Sequence, residues 1–559
     1  MPKRIKRATF LKGMLGFGLM ASGGIQACNL LGRDHSFPVR MLGPSMELGH
    51  LLRDGAIKAG AGRFESESTG VTIIGAGISG LSAGWWLKKQ GFDDFQILEL
   101  EEEPGGNSQS SKNEISAFPW GAHYIPLANK ESEYVREIFK EFGIIESEDE
   151  NGLAKYNPLY LCHDPEERLF KDGSFQEGLV PKRGLRPDEQ EDLERFFKKI
   201  VEFRGRKGRD GKPVFAIPLD LSSRDEEFLR LDHISMDHWL KENDFKSKPL
   251  LWYVNYCCRD DYGTTADNVS AWAGIHYFAG RRGIAGNAEQ NAVVTWPEGN
   301  GFIVQKFKEL LGDKIHTGAA AFELANVDSG VRCMYMKRGS KKVYALQSDY
   351  AIFASPRPIS KYVLKDREFT SDTDYMDSLN YPPWIVANIS LDRLPSARGI
   401  SSAWDNVGYY SDSLGYVVAT HQNITTRKSS PTVITYYYPL SHLSSREARS
   451  VLARSSAQEW TEIVIGDLAK MHPTIESRIK AIEFWPWGHG MISPSVGYLW
   501  GAERRKMLEN IGRIYFAHSD MSGISNFEES QYRGVEAAKA ILATKNKAYS
   551  GMTLMMAEG

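Results

Sequence analysis

The residues VTIIGAGISG (71 to 80) are the feature that most constrains the fold of this chain. The apolar run VTII is typical of a buried parallel strand. Gly75, Gly77 and Gly80 follow it directly. In such a pattern the first glycine permits a tight turn, the second lets the backbone approach a pyrophosphate, and the third lets a helix pack closely on the strand. The stretch therefore predicts a dinucleotide-binding unit.

A helix is expected to start directly after this loop. It runs from about Ile78 to Gln90, and Gly91 is placed to end it. Its first turn presents free N–H groups and a partial positive charge. Ile78 and Ser79 are therefore predicted to lie against the phosphates of the cofactor.

A second apolar strand, FQIL (95 to 98), ends in Glu99, 24 residues after Gly75. A carboxylate at this position accepts hydrogen bonds from a ribose 2′-OH and repels a 2′-phosphate. The sequence therefore favours an adenosine without the extra phosphate. FAD and NAD share this unit, so the motif leaves both cofactors open.

Length and charge exclude several other classes. The chain has 559 residues, enough for two or more domains, and a formal net charge of -3, which argues against a nucleic-acid partner. Its five cysteines show no CxxC pair or other metal-ligand spacing, so no metal site is predicted, and most of them are expected to be free and buried. A small-molecule substrate is the better expectation.

The N-terminus has the character of an export signal. Residues 1 to 12 are basic, and a weakly apolar run of 15 residues follows and ends at Cys28. KRATFLK resembles a twin-arginine signal, and IQAC resembles a bacterial lipobox in which Cys28 would be lipidated. The alternative is a basic, disordered tail. We expect an export signal and lipobox over 1–28, a linker over 29–69, and a location in the periplasm or on the outer face of the inner membrane.

The stretch after Glu99, LEEEPGGNS, points to FAD. It carries the pair Gly105 and Gly106, followed by Asn107. With these residues the chain resembles the flavin amine oxidase and phytoene desaturase superfamily, in which a GG pair at this spacing lies over the FAD diphosphate. The resemblance implies FAD as the cofactor, with Asn107 where the family usually has an arginine.

The C-terminal stretch RIYFAHSDMSGISNFEESQYRGVEAAKAIL resembles the second half of the same signature. The resemblance implies that Asp520 binds the ribityl chain. It also implies that a helix N-terminus at Phe527 and Glu528 points at the flavin pyrimidine, where its partial positive charge would stabilise the reduced flavin.

Two further segments, around 314–327 and 343–358, read as strands of the nucleotide domain. The resemblance places Ala321 and Phe322 near the adenine. The predicted fold class is α/β: a Rossmann-like, GR2-type FAD-binding domain with an interleaved mixed α+β substrate domain. FAD-binding parts are predicted at 70–130, 291–357 and 506–546, substrate parts at 131–290 and 358–505, and a tail at 547–559.

Aromatic and polar residues are interleaved in the inserted segments. In FPWGAHYIP (118 to 126), Trp120 is a predicted flavin neighbour, and His123 and Tyr124 are candidate pocket residues. EFWPWGHGM (483 to 491) resembles the aromatic segment that walls the pocket in amine oxidases, which implies pocket roles for Trp485, Trp487 and His489. For any single one of these residues, core packing is the competing interpretation.

Two charge clusters stand out in the same segments. Arg259, Asp260 and Asp261 form one, and Glu528 and Glu529 form the other. A carboxylate of either cluster is able to hold a distal ammonium of a cationic substrate. For Asp260 and Asp261 we favour a solvated or internally paired cluster, whereas for Glu528 both roles stay open.

The preferred function is oxidation of a C–N bond in an amine, with a polyamine as one option, by hydride transfer to the flavin, with oxygen or a quinone as electron acceptor. One alternative keeps FAD but desaturates a C–C bond of a lipid or isoprenoid. A third is a flavin-containing lipoprotein that transfers electrons or binds a partner.

Overall fold

The computed structural model describes residues 35–55, 64–340, 342–366, 373–424 and 430–557, with side chains up to residue 545. The expected export signal, with Cys28, lies outside the described residues. Within these ranges no helix is both long and apolar enough to cross a bilayer. Cys162, Cys257, Cys258 and Cys333 are free and buried, as expected.

The helices in the described ranges are α1 (Met46–Arg53), α2 (Ile78–Lys89), α3 (Glu133–Glu141), α4 (Pro187–Gly205), α5 (Glu226–Leu229), α6 (Met236–Glu242), α7 (Lys248–Tyr262), α8 (Ala271–Ala279), α9 (Gly301–Leu311), α10 (Ser360–Val363), α11 (Ser445–Arg454), α12 (Ala457–Met471), α13 (Ala502–Met507) and α14 (Phe527–Ala557).

The strands are β1 (Val39–Met41), β2 (Glu65–Ile74), β3 (Phe95–Leu98), β4 (Ser110–Lys112), β5 (Ala117–Pro119), β6 (Tyr124–Pro126), β7 (Ile145–Glu148), β8 (Ala154–Tyr156), β9 (Glu167–Lys171), β10 (Ser174–Glu177), β11 (Val293–Thr295), β12 (Ile315–His316), β13 (Ala319–Val327), β14 (Gly330–Lys337), β15 (Val343–Phe353), β16 (Trp384–Leu391), β17 (Asp405–Gly408), β18 (Tyr416–Val418), β19 (Thr432–Pro439), β20 (Ile479–Trp487) and β21 (Ile514–Phe516).

The nucleotide sheet has the order β12-β3-β2-β15-β14-β13, with β21 paired to β15. Strand β2 runs parallel to β3 and β15, and β21 runs parallel to β15. The carboxyl ends of these strands therefore meet at one edge of the sheet, where ligands bind in open α/β folds. Gly75 and Glu99 follow two of these strands directly, so the fold places both at this edge.

The second sheet has the order β1-β20-β16-β19-β18-β17-β9-β10. Its central strands β16 and β19 are buried along their whole length, which explains their apolar and aromatic composition. Most of this sheet comes from the segments between the nucleotide strands. The structure thus has the predicted α/β class, with a Rossmann-like sheet and an interleaved second domain.

The linker expected over 29–69 is in part regular structure. Strand β1 pairs in parallel with β20, α1 follows it, and β2 begins at Glu65. Ser45 then joins this segment to the nucleotide domain, because its N–H and its hydroxyl donate to the Glu101 carboxylate at 2.8 and 2.7 Å. The described part is therefore an ordered arm that packs on both domains.

Candidate functional site

The three glycines of the loop after β2 each have a distinct steric role. Gly75 has a φ of +101°, which favours glycine, and a Cβ on Gly80 would lie 1.9 Å from the Gly75 carbonyl oxygen. A Cβ on Gly77 would meet no atom within 4 Å. Gly75 and Gly80 are thus required by the turn and the packing of α2, whereas Gly77 faces open space where a phosphate would lie.

Gly105 and Gly106 pack directly on this loop. The Gly105 N–H donates to the Ala76 carbonyl at 2.8 Å, and Gly105 forms a β-bridge with Gly77. A Cβ on Gly106 would lie 3.5 Å from the Gly77 Cα. The two glycine-rich segments therefore enclose one backbone-lined cradle, the geometry that a diphosphate needs.

Glu99 is buried at the edge of this cradle. Its carboxylate accepts hydrogen bonds from the Ala76 N–H at 2.6 Å and the Glu101 N–H at 2.9 Å. Burial raises the pKa of Glu99, and these two N–H donors counter that effect. The backbone donors hold the carboxylate in one orientation at the carboxyl end of β3, where a ribose hydroxyl would donate to it.

Asp520 lies in a 3₁₀ turn after β21 and is 1% exposed. Burial acts to raise its pKa, but His518 at 3.1 Å and hydrogen bonds that include the Arg357 N–H at 2.8 Å outweigh burial and lower it. Asp520 is therefore an ionised acceptor beside the cradle, as a ribityl chain would require.

Helix α14 begins against the start of α2. The Ser79 hydroxyl donates to the Ser530 carbonyl at 2.8 Å, and a Cβ on Gly534 would lie 2.0 Å from the Ser79 carbonyl oxygen. This close approach brings Phe527 and Glu528, in the first turn of α14, to the same side of the sheet as the cradle. Together with Gly77, Gly105, Gly106, Glu99 and Asp520, these positions fit an FAD.

Asn107 ties the cradle to the C-terminal aromatic segment. Its side-chain amide donates to the Gly490 carbonyl, and its own carbonyl accepts from the Ala122 N–H at 2.8 Å. Asn107 therefore acts here as a structural link between the stretches 118–126 and 483–491, which the sequence places far apart.

The predicted tryptophans form one cluster. The ring of Trp120 stacks on that of Trp485 with centroids 5.0 Å apart, and the Trp487 indole N–H donates to the Trp120 carbonyl at 2.6 Å. The indole N–H of Trp485 is buried and has no acceptor among the described residues. These three residues build an aromatic wall beside the segment that carries Asn107.

His123 adjoins this wall. Its ring stacks on Tyr437 at 4.7 Å, and the Tyr437 hydroxyl donates to the Gly121 carbonyl at 2.9 Å. Burial lowers the pKa of His123 to about 4. Burial and the nearby Arg449 lower the pKa of His489 to about 4 as well. Both imidazoles are therefore neutral at pH 7.

Tyr124 lies next to charged side chains. Its hydroxyl accepts from Arg281 at 3.1 Å, and the same guanidinium nitrogen donates to both oxygens of Asp261 at 2.9 and 3.1 Å. Glu528 approaches Arg281 from α14 closely enough for the positive charge to act on its pKa. Arg281 thus lies between the start of α14 and the acidic residues of α7.

The two residues predicted to lie near the adenine, Ala321 and Phe322, pack in different hydrophobic clusters. Ala321 packs with Ile74 and Leu98, next to the nucleotide strands, and the Ala319 N–H donates to the Glu99 carbonyl at 2.7 Å. Phe322 packs in a separate small cluster with Met334 and Leu52 of α1. Contact of Ala321 and Phe322 with an adenine stays a prediction.

Comparison with known proteins agrees with this architecture. The family model for an NAD(P)-binding Rossmann-like domain matches residues 73–142. The chain is similar to the solved structure of wild-type putrescine oxidase bound to putrescine, with a TM-score of 0.62, 14% identity, and coverage of 86% of this chain and 100% of that one. At this identity the likeness shows that the chain shares the fold of putrescine oxidase.

Other solved structures share this fold. Cyclohexylamine oxidase from Brevibacterium oxydans IH-35A has a TM-score of 0.59 and 16% identity, over 86% of this chain and 99% of that one. The fatty acid isomerase from P. acnes has a TM-score of 0.57 and 15% identity, over 84% and 98%. The same fold thus occurs in proteins named for an amine and for a fatty acid.

Several residues around and beyond His123 and Tyr124 were not predicted. They are Arg281, Trp404 and Tyr437 around His123 and Tyr124, and Glu167, Tyr256 and Asp405 beyond them. They come from β9, α7, β17 and the residue before it, β19 and the segment after α8. No spacing connects these elements in the sequence, so pattern reasoning has no signal with which to group them.

Proposed function

We propose that this chain is an FAD-dependent oxidoreductase that oxidises a C–N bond of an amine. Gly77, Gly105 and Gly106 would hold the diphosphate, Glu99 the ribose and Asp520 the ribityl chain. Bound there, FAD supplies the capacity to accept a hydride, which protein side chains lack.

The charge of the region around Arg281 is the observation that favours an amine over a fatty acid as the substrate. Both oxygens of Asp261 accept from Arg281, so this cation is already neutralised. Asp260 and Glu528 add further carboxyl groups to the same region. An acidic pocket attracts a cationic amine and repels the carboxylate of a fatty acid, so it supports the amine over the lipid alternative.

The aromatic wall of Trp120, Trp485 and Trp487 provides suitable surroundings for the reacting nitrogen of the amine. An amine gives up a hydride from its neighbouring carbon only as the free base. Burial favours the uncharged form of a base, and it has this effect on His123, whose pKa it lowers to about 4. The walls formed by Trp120, Trp485 and His123 would therefore orient the amine, exclude water and favour its unprotonated form.

The fold supports the same proposal without selecting it, because the fatty acid isomerase shares it. Two of the compared structures are named for amines, putrescine and cyclohexylamine. Their low identities confine the likeness to the fold. The proposal therefore depends on the acidic pocket.

Anaerobic flavin reduction tests the proposal. The full-length protein would be purified, its flavin quantified by absorbance, and a panel of amines, amino acids and unsaturated fatty acids added without oxygen. We expect bleaching of the flavin by amines. Bleaching by fatty acids alone would replace the proposal with the lipid alternative, and no bleaching by any compound would favour an electron-transfer or partner-binding protein.

The electron acceptor and the export of the chain are also proposals. We propose oxygen or a quinone as the electron acceptor, tested by the rate at which each reoxidises the reduced protein. We also propose export with lipidation at Cys28, supported by the basic and apolar N-terminal segment. Cell fractionation of the native chain and of a Cys28→Ser variant tests both, since loss of membrane association in the variant alone is expected.

A further inference from the structure

Ser45 directly precedes helix α1 but does not cap it. A serine at this position usually accepts a hydrogen bond from its own helix through its side-chain oxygen. The Ser45 side chain makes no such bond within the described helix. Its hydroxyl and its N–H instead donate to the two oxygens of the Glu101 carboxylate at 2.7 and 2.8 Å, and the hydroxyl also accepts from Arg338 at 3.2 Å. The start of α1 therefore binds a carboxylate of the nucleotide domain.

Glu101 is in turn bonded to the predicted ribose acid. Its N–H donates to the Glu99 carboxylate at 2.9 Å, and its carbonyl accepts from the Gly318 N–H at 2.8 Å. The Ser45 contact fixes the side chain of Glu101, and the Gly318 contact fixes its backbone. A chain of hydrogen bonds thus runs from Ser45 through Glu101 to Glu99.

The other end of α1 reaches the strands that carry a predicted adenine neighbour. Leu52 packs on Phe322 and Met334. The register of β13 and β14 shifts at Phe322, which is the mark of a β-bulge, and bulges re-aim side chains. All eight residues of α1 are at least partly exposed, and an isolated helix of this length is marginal in water. Contacts at its two ends therefore hold α1 in place.

The segment before α1 is attached to the second domain. Strand β1 pairs with β20, the strand that carries two tryptophans of the aromatic wall, and the Leu42 N–H donates to the Phe484 carbonyl at 2.9 Å. Gly43 then turns the chain toward α1 with a φ of +144°, and a Cβ there would lie 3.3 Å from Pro486. The ordered arm (35–55) therefore connects the strand of the aromatic wall to the loop of the ribose acid.

We propose that this arm is a strap that retains FAD, in which Ser45 and Glu101 are positioning residues for Glu99. Neither side chain needs to touch the cofactor, because Ser45 acts through Glu101 and the Glu101 N–H orients the carboxylate of Glu99. A loop that is already ordered costs less to bind than one that must be ordered by the ligand. The inference rests on the FAD site of the proposed function and is independent of the substrate.

Cofactor binding by matched variants tests the strap. Full-length, flavin-free protein would be titrated with FAD and with ADP, which has the adenosine and diphosphate but lacks the flavin. FAD release from the loaded protein would be followed by flavin fluorescence after dilution. Ser45→Ala is compared with Ser45→Thr, which keeps both donors, and with Ser477→Ala, an exposed serine bonded to its own turn. Glu101→Gln is compared with Glu102→Gln, the adjacent exposed carboxylate.

We expect Ser45→Ala and Glu101→Gln each to raise the Kd for FAD about threefold or more and to speed FAD release, because the loop must then be ordered on binding. The Kd for ADP should rise by the same factor, since the loop acts on the adenosine end. Ser45→Thr and both control variants should bind like the native chain. The double variant should lose no more than the weaker-binding single variant, because both changes break one contact.

Several results would overturn the proposal. A lower thermal midpoint of the flavin-free protein with unchanged Kd values would mean that the contact is only structural. Weaker binding of FAD with unchanged binding of ADP would place the effect away from the adenosine. Losses that multiply in the double variant would mean that Ser45 does not act through Glu101.

The strap and the proposed function fail in different ways. A native chain that binds neither FAD nor ADP would refute the FAD site and the strap with it. A native chain that binds both, with Ser45→Ala and Glu101→Gln variants of equal affinity, would refute the strap alone. Loss of FAD retention in these variants without bleaching of the native flavin by any amine would refute amine oxidation and leave the strap intact.

Discussion

Asp220 of the substrate domain forms an ion pair with Arg533 of helix α14, with Oδ2 and Nη1 2.8 Å apart. Arg504 pairs with the other oxygen of Asp220. The Leu219 N–H next to it donates to Glu529 in the first turn of α14. This network joins the substrate domain to the helix start that lies beside the FAD cradle.

We predict that Asp220→Asn destabilises the protein by about 3 to 5 kcal/mol, because it removes the carboxylate that pairs with the buried guanidiniums of Arg504 and Arg533. Asp237→Asn is the matched control, since it removes an exposed helical pair with Lys241, worth about 0.5 kcal/mol or less. The thermal midpoints of both variants at pH 7 check this. A similar small shift in both would mean that the network carries little stability.

Gly77 and Gly80 should respond differently to alanine. A Cβ at Gly80 would lie 1.9 Å from the Gly75 carbonyl, so Gly80→Ala is expected to disrupt the turn and lower the thermal midpoint without added FAD. A Cβ at Gly77 meets nothing in the chain, so Gly77→Ala should keep its stability and lose FAD. Melting curves and flavin content distinguish the two, and normal flavin content in Gly77→Ala would contradict the cradle.

Glu99→Gln tests the ribose contact. The substitution removes the negative charge but keeps the shape, so we expect the Kd for FAD to rise about tenfold or more, the effect of one lost charge-assisted hydrogen bond. Glu102→Gln changes an exposed side chain three residues away and should leave the Kd unchanged. Both Kd values are measured by titrating FAD, followed by its fluorescence, into protein that has been unfolded to remove the flavin and then refolded. Equal Kd values in the two variants would mean that Glu99 does not bind the ribose.

The raised pKa of Glu528 predicts that the stability of the protein depends on pH. Burial raises its pKa to about 7, against a usual value of 4.5. The folded state therefore holds this proton more tightly than the unfolded state, so the contribution to stability is present below pH 4.5, falls as pH rises, and is lost above about pH 7. Glu528→Gln should raise the thermal midpoint at pH 8 and change it little at pH 4. An equal change at both pH values would contradict the raised pKa.

The nucleotide half of the site was predictable because its signals are local. Gly75, Gly77 and Gly80 constrain one turn, and Glu99 follows the next strand, so a short window of sequence contains the whole unit. The strand Phe95–Leu98 and the helix Ile78–Lys89 lie where the pattern predicts them. The roles of Trp120 beside the flavin and of Trp485 in the pocket stay predictions, and the stacking of the two rings at 5.0 Å was not predicted.

The proximity of Glu167, Asp260 and Asp405 was not predictable in this way. Asp260 was favoured as a solvated or internally paired residue, and Asp261 is indeed paired with Arg281, whereas Asp260 faces Glu167 and Asp405. Glu167 and Asp405 are separated by more than 200 residues and become neighbours only through the register of β9 and β17. The ordered arm before β2 was likewise missed, because its strand consists of three residues without a periodic pattern.

The amino-acid sequence was sufficient to specify the Rossmann-like fold and to predict FAD as the cofactor, since a turn, a helix start and a strand end are set by residues close together in the chain. The arrangement of the substrate pocket required the folded structure. Its charge comes from single side chains on β9, α7 and β17, and their mutual repulsion arises only when strand pairing and helix packing bring them together.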